Sequence, residues 1–301
     1  MQAPLDPEEL DAAGAPAHAE ISPLTQMGSV HLTISDLARS LDYYRETVGL
    51  AVLEEGSGDA SLGAGSLELL GLVEEPGARP ASRHTGLYHF ALRVPERVDL
   101  ARWLAHAARD RVPLLGMSDH FVSEAIYLTD PDGHGIEIYH DRPRVVWEGL
   151  VGSRMTTDPL DVADLMGELD DPATEPFDGL PAGADMGHVH LQVADVAATI
   201  EFYRDVLGFD VMAELFGSAA FLAAGGYHHH VGANTWHSLG APPPPPGTAA
   251  LRHATIVLPE EGERDRVAAR VADAGGEPDA REDGVLVRDP SGIGLLLTAP
   301  G

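Results

Sequence analysis

The chain repeats itself. Residues 28–50 (GSVHLTISDLARSLDYYRETVGL) return at 187–209 (GHVHLQVADVAATIEFYRDVLGF) at a constant offset of 159, which carries Val30 onto Val189, His31 onto His190, Asp36 onto Asp195, Tyr44 onto Tyr203 and Gly49 onto Gly208. The same offset carries DPDGHGIEI at 130–138 onto DPSGIGLLL at 289–297. A tandem duplication confines the fold to architectures in which one supersecondary unit is used more than once. Each copy divides again, because 87–94 (LYHFALRV) resembles the opening strand of the first copy and 251–258 (LRHATIVL) that of the second.

Four modules of strand, helix and further strands result, an α+β fold class. The first domain is expected over 24–147, with modules near 28–80 and 84–147, and the second over 183–299, with modules near 186–240 and 248–299. In the first module Val30, Leu32 and Ile34 alternate with Ser29, His31 and Thr33, which is strand periodicity. Asp36 stands where a helix N-cap belongs, Leu37, Leu41, Tyr44 and Val48 form an apolar helical stripe, and Gly49 marks the stop. The acidic segment 148–182 reads as a linker with one short helix, and APPPPPG at 241–247 as a stiff surface connection.

Composition removes several function classes. With 19 basic residues, all of them Arg, against 48 acidic ones, the formal charge is −29, a surface that repels nucleic-acid backbones and anionic membranes. Cysteine is absent, which excludes thiol catalysis, zinc ribbons and iron–sulfur clusters, so a metal here needs His and carboxylate ligands. The first twenty residues lack a basic and apolar leader, and no apolar run reaches the roughly 18 residues of a membrane span. A cytoplasmic location is the expectation.

Alternation along strands also says where polar groups point. If Val30, Leu32 and Ile34 face the helices, His31 faces the opposite side, where a curved sheet encloses a cavity. By the same rule His89 and Glu137 face that cavity. Two imidazoles and one carboxylate from separate strands form the facial set that suits non-haem Fe(II) or Mn(II).

These features resemble the vicinal oxygen chelate superfamily, with its paired βαβββ modules. Within it, DHFVSEAIYLTDPDGHGIEIY at 119–139 is similar to the signature of extradiol ring-cleaving dioxygenases of the catechol 2,3-dioxygenase type. The resemblance implies two tandem domains, each a curved mixed sheet around a cavity. It also implies Glu137 as carboxylate ligand, His89 as one His ligand, His120 as an acid/base group and Tyr127 as a hydrogen-bonding group on the substrate side. Ser118 replaces the Gly or Asn usual two residues before the signature His.

The family's other His falls on Ser29. Either His31, two residues along the same face, serves instead, or the first copy has lost a ligand. The second copy departs differently. His188 holds the usual position, with His190 two further on, and His253 matches the second His, but Leu296 stands in the place of Glu137. The run His228, His229 and His230 leaves open an all-His site there.

The resulting expectation is an Fe(II) enzyme, with Mn(II), Ni(II) or Zn(II) as alternative metals. It holds the ion through His31, His89 and Glu137 in a catalytic first domain and cleaves an aromatic diol with O₂ as a homo-oligomer. Two alternatives stand beside it. A glyoxalase-type isomerase would use His31, Glu68, His89 and Glu137, and a non-catalytic protein of the same fold would only bind a small molecule.

Overall fold

A computed structural model describes residues 19–300. The first module comprises β1 (Gln26–Ile34), α1 (Leu37–Tyr43), β2 (Ala51–Glu55), β3 (Asp59–Ala64) and β4 (Leu67–Glu74). The second comprises β5 (Gly86–Arg93), α2 (Arg97–Asp110), β6 (Gly116–Asp119), β7 (Ser123–Thr129) and β8 (Gly135–Asp141). The third has β9 (Asp185–Gln192), α3 (Val196–Glu201), β10 (Asp210–Leu215), β11 (Ala219–Ala223) and β12 (Val231–Asn234). The fourth has β13 (Leu251–Val257), α4 (Glu261–Asp273), β14 (Asp279–Arg281), β15 (Gly284–Arg288) and β16 (Gly294–Thr298).

Local chemistry sets the helix ends. The Asp36 carboxylate accepts the Arg39 N–H at 2.9 Å and so satisfies one of the free donors of the first turn of α1. Asp195 does the same for the Ala198 N–H at the start of α3. Both helices widen into a π-turn, over Tyr44–Val48 and Phe202–Leu207, and end at Gly49 and Gly208 in the left-handed region, with φ of 92° and 99°. Leu37, Leu41, Tyr44 and Val48 are all buried, as are Val30, Leu32 and Ile34 beneath them.

The modules combine in a way the repeat does not announce. One sheet runs β14-β15-β16-β13-β1-β4-β3-β2, and the other β6-β7-β8-β5-β9-β12-β11-β10, with Asp158–Pro159 added beside β6. Module one therefore pairs with module four, and module two with module three. The expectation that 28–80 pairs with 84–147, and 186–240 with 248–299, is corrected. β5 and β13 carry nearly the same strand pattern, and so do β1 and β9. Period-two alternation fixes which face of a strand is buried, not which of two similar strands it joins.

The connection after β8 is also richer than one short helix. It carries helices at Arg144–Trp147, Val151–Arg154 and Val162–Met166. Leu165 is fully buried, and Arg97 on α2 pairs with Asp164 at 2.7 Å and Glu168 at 2.8 Å, tying the segment to the second module. The Pro-rich stretch has no regular structure until Thr248–Ala249, which pairs with Arg79–Pro80.

Candidate metal centre

At the seam between modules two and three, β5 and β9 run antiparallel, with His190 opposite His89 and His188 opposite Ala91. On the other side β5 runs parallel to β8, which carries Glu137. The irregularity in the β5–β9 register between Met186 and His188 lets His188 turn inward beside His89. Oε2 of Glu137 lies 2.9 Å from Nε2 of His89 and 3.1 Å from Nε2 of His188. Donor atoms of these three residues all lie within 4.8 Å of one another.

The cluster fits a cation. All three side chains are buried. Despite its closeness to Glu137, Nε2 of His89 makes no hydrogen bond, a rare condition for a buried nitrogen. Burial alone would push the Glu137 carboxyl up, but His188 and His89 outweigh it and hold the group well below the usual carboxylate range. Burial pulls His188 down to about 4 against the opposing pull of Glu137. A neutral imidazole beside a buried carboxylate leaves negative charge without a counter-ion, which a divalent metal supplies.

These ligands open onto a cavity of about 690 Å³, which His120 and Tyr127 also line. His120 Nδ1 is 2.7 Å from the Thr156 carbonyl, so that nitrogen carries the proton. Nε2 of the neutral ring then accepts from the Tyr127 hydroxyl at 2.6 Å. Burial, reinforced by Glu137, raises the Tyr127 phenol well above its ordinary range, so it stays a donor. Thr156 belongs to the connection after β8, whose Val151, Gly152 and Met155 form part of the cavity wall.

His31 lies elsewhere. It sits in the other sheet, opposite His253, with the two rings stacked at 4.3 Å. Its Nε2 is 3.2 Å from Glu68 and 3.2 Å from the Ser29 hydroxyl. The structure thus brings His89 and Glu137 together but not with His31, and His188 of the second copy completes the trio. The exchange of modules is the reason. Ser29 and His188 are repeat equivalents, so the His missing from one copy is spare in the other, a signal visible in the sequence. The four-residue set with Glu68 is not assembled either, since His31 and Glu68 stand apart from His89 and Glu137. His188 and His253 are likewise in different sheets.

The His run precedes β12 instead of lying on it. Asp141 accepts from Nε2 of His228 at 2.7 Å, and Nδ1 of His228 shares a hydrogen bond with Nδ1 of His229 at 2.8 Å. His229 packs against His188 at a ring separation of 4.0 Å, and it lines the cavity. His190 is a further residue without a sequence assignment. It is buried, its Nε2 has no partner, and it faces the cavity beside Tyr88 and Trp236.

The class follows from paired βαβββ modules around a His–His–Glu cluster. The chain belongs to the Glyoxalase/Bleomycin resistance protein/Dioxygenase superfamily, whose pattern it matches over residues 26–138 and 185–296. It is 43% identical over 272 residues to a protein named catechol-2,3-dioxygenase from Bacillus subtilis (strain 168), spanning 88% of this chain and 94% of that one. This relationship makes the chain an oxidoreductase of the dioxygenase class. A crystal structure of a putative dioxygenase from Bacillus subtilis subsp. subtilis str. 168 superposes with a TM-score of 0.66 at 14% identity, over 94% of this chain and 87% of that one. Glyoxalase I from Zea mays shares the fold, with a TM-score of 0.56 at 17% identity over 91% and 92% of the two chains. No helix among the described residues is long and apolar enough to cross a membrane.

Proposed function

We propose that the chain is an Fe(II)-dependent extradiol dioxygenase that cleaves a catechol-type diol with O₂ in the cytoplasm, its metal held by His89, Glu137 and His188. The observation that carries this reading is the convergence of those three donors at one end of a cavity that also presents the His120–Tyr127 pair. The bound metal would supply charge stabilisation for an ionised diol and a common docking point for both reactants.

The chain's own residues do the rest. Neutral imidazoles and one carboxylate leave a divalent centre with a net positive charge that favours an anionic diol oxygen. His120 offers its Nε2 lone pair to a diol proton once Tyr127 turns its hydroxyl toward the substrate, and can return that proton to the product. The Thr156 carbonyl holds the ring in the tautomer this requires. Burial of the ligands keeps water from competing for the diol.

The test is metal analysis of anaerobically purified protein, followed by catechol addition with O₂ uptake and yellow semialdehyde formation recorded. One equivalent of iron and stoichiometric uptake are expected. Turnover that needs no O₂ would overturn the reading in favour of isomerase chemistry.

A further inference from the structure

The cavity beside the candidate metal centre is lined by 39 residues, and neither Arg nor Lys is among them. Lys is absent from the whole chain, and residues 1–18, outside the described range, contain no Arg. The charged side chains that do line the cavity are Asp132, Glu137 and Glu214, all acidic. Asp132 is already engaged by Ser35 and Arg39, so its charge is partly answered from outside. Glu214 stands exposed on β10.

A substrate carboxylate, sulfonate or phosphate entering here would find no permanently charged side chain to pair with, and the metal is occupied by the diol. Burying an unpaired anion is costly, and the molecule's charge of −29 adds long-range repulsion.

The rest of the lining is aromatic and aliphatic. Tyr88, Trp236, Phe221 and His190 form an aromatic wall close to His89, with Leu115 and Leu251 also lining the cavity. A volume of about 690 Å³ far exceeds what one dihydroxybenzene ring fills, and lies within the range of pockets that hold drug-sized ligands.

From these observations we infer that the substrate is an uncharged vicinal diol bearing a bulky apolar substituent, and that acid-bearing catechols are rejected. The inference rests on the diol-cleaving reading for the diol itself, while the exclusion of anions follows from the cavity's side chains.

The test compares two probes of similar side-chain shape that differ in a terminal group: 4-isopentylcatechol and 3-(3,4-dihydroxyphenyl)propanoate. Binding to the metal-loaded enzyme is measured anaerobically by titration calorimetry, and O₂ uptake is recorded afterwards. Because both probes carry the same diol, the metal's contribution cancels in the comparison. The isopentyl compound is expected to bind at least about tenfold tighter than the propanoate, and tighter than catechol itself. Glu214→Arg is expected to narrow the gap several-fold by strengthening propanoate binding. Equal or tighter binding of the propanoate by the native enzyme overturns the inference, whichever compound is cleaved, and so does failure of the isopentyl compound to bind. The expected preference without O₂ uptake on either compound upholds the inference about recognition and overturns the dioxygenase reading.

Discussion

His188→Ala and His31→Ala test which imidazole joins His89 and Glu137 at the metal. His188 touches the Glu137 carboxylate, whereas His31 stacks on His253 in the other sheet. The first substitution is expected to drop metal content to well below one equivalent per chain, and the second to leave it at the native level. Elemental analysis of purified protein decides, and equal losses would reject the assignment. His120→Ala should retain metal but lower kcat by about 10²–10⁴, the usual contribution of a positioned acid/base group. A fall in metal content as large as that of His188→Ala would instead give His120 a place at the ion. At this scale His89 and Glu137 could be placed on the cavity face by strand alternation, and His120 and Tyr127 only through the resemblance of 119–139 to the extradiol signature. His188 was visible as a residue but not as their neighbour, since its partner strand is not encoded in any local pattern.

The strands hold the site through close backbone approaches. Gly135 lies on β8, two residues before Glu137, and a Cβ there would strike the Tyr88 carbonyl, which is backbone and cannot turn aside. Gly135→Ala is expected to cost about 1–3 kcal/mol, an overpacking penalty, and to reduce metal content by displacing β8. Thermal melting and metal analysis check both effects. The turn before β16 gives a pH prediction. Asp289 accepts the Ser291 and Ile293 N–H groups at 2.8 and 2.9 Å, but burial raises its carboxyl from the ordinary 3.8 to about 6. A carboxyl whose pKa is raised on folding binds its proton more tightly in the native state. Its stabilising contribution is therefore full below pH 3.8 and is lost as pH rises through about 6, amounting to about 3 kcal/mol. Asp289→Asn keeps an acceptor without the charge. Relative to that variant, the native protein should lose this stability between about pH 4 and 6 in chemical denaturation, and a constant difference across the window would exclude Asp289 as the source. Helix caps and stops were legible because Asp36, Asp195, Gly49 and Gly208 act within a few residues of themselves. Of the three helices after β8 the sequence announced only one, and its docking through Leu165 and Arg97 is made across the fold.

At the scale of the molecule, each sheet draws one module from each copy, so neither copy contains a complete site. The first copy supplies His89 and Glu137, and the second supplies His188. The second sheet cannot replace this arrangement with a site of the same kind. Ser29 stands where His188 stands, Leu296 where Glu137 stands, and the imidazoles of His31 and His253 are stacked face to face instead of converging. The chain should therefore carry one metal, not two. A split protein tests the exchange directly. Residues 19–150 alone would leave the edges of β1 and β5 without their antiparallel partners β13 and β9, and residues 151–301 would leave the complementary edges open. Such edges are prone to association, and each half lacks part of the ligand set. Each half alone is expected to bind metal weakly, and the two co-expressed halves to recover one equivalent per pair together with O₂ uptake. If the first half alone bound metal as tightly as the native chain, modules one and two would have to pair with each other, and His188 would not be required at the centre.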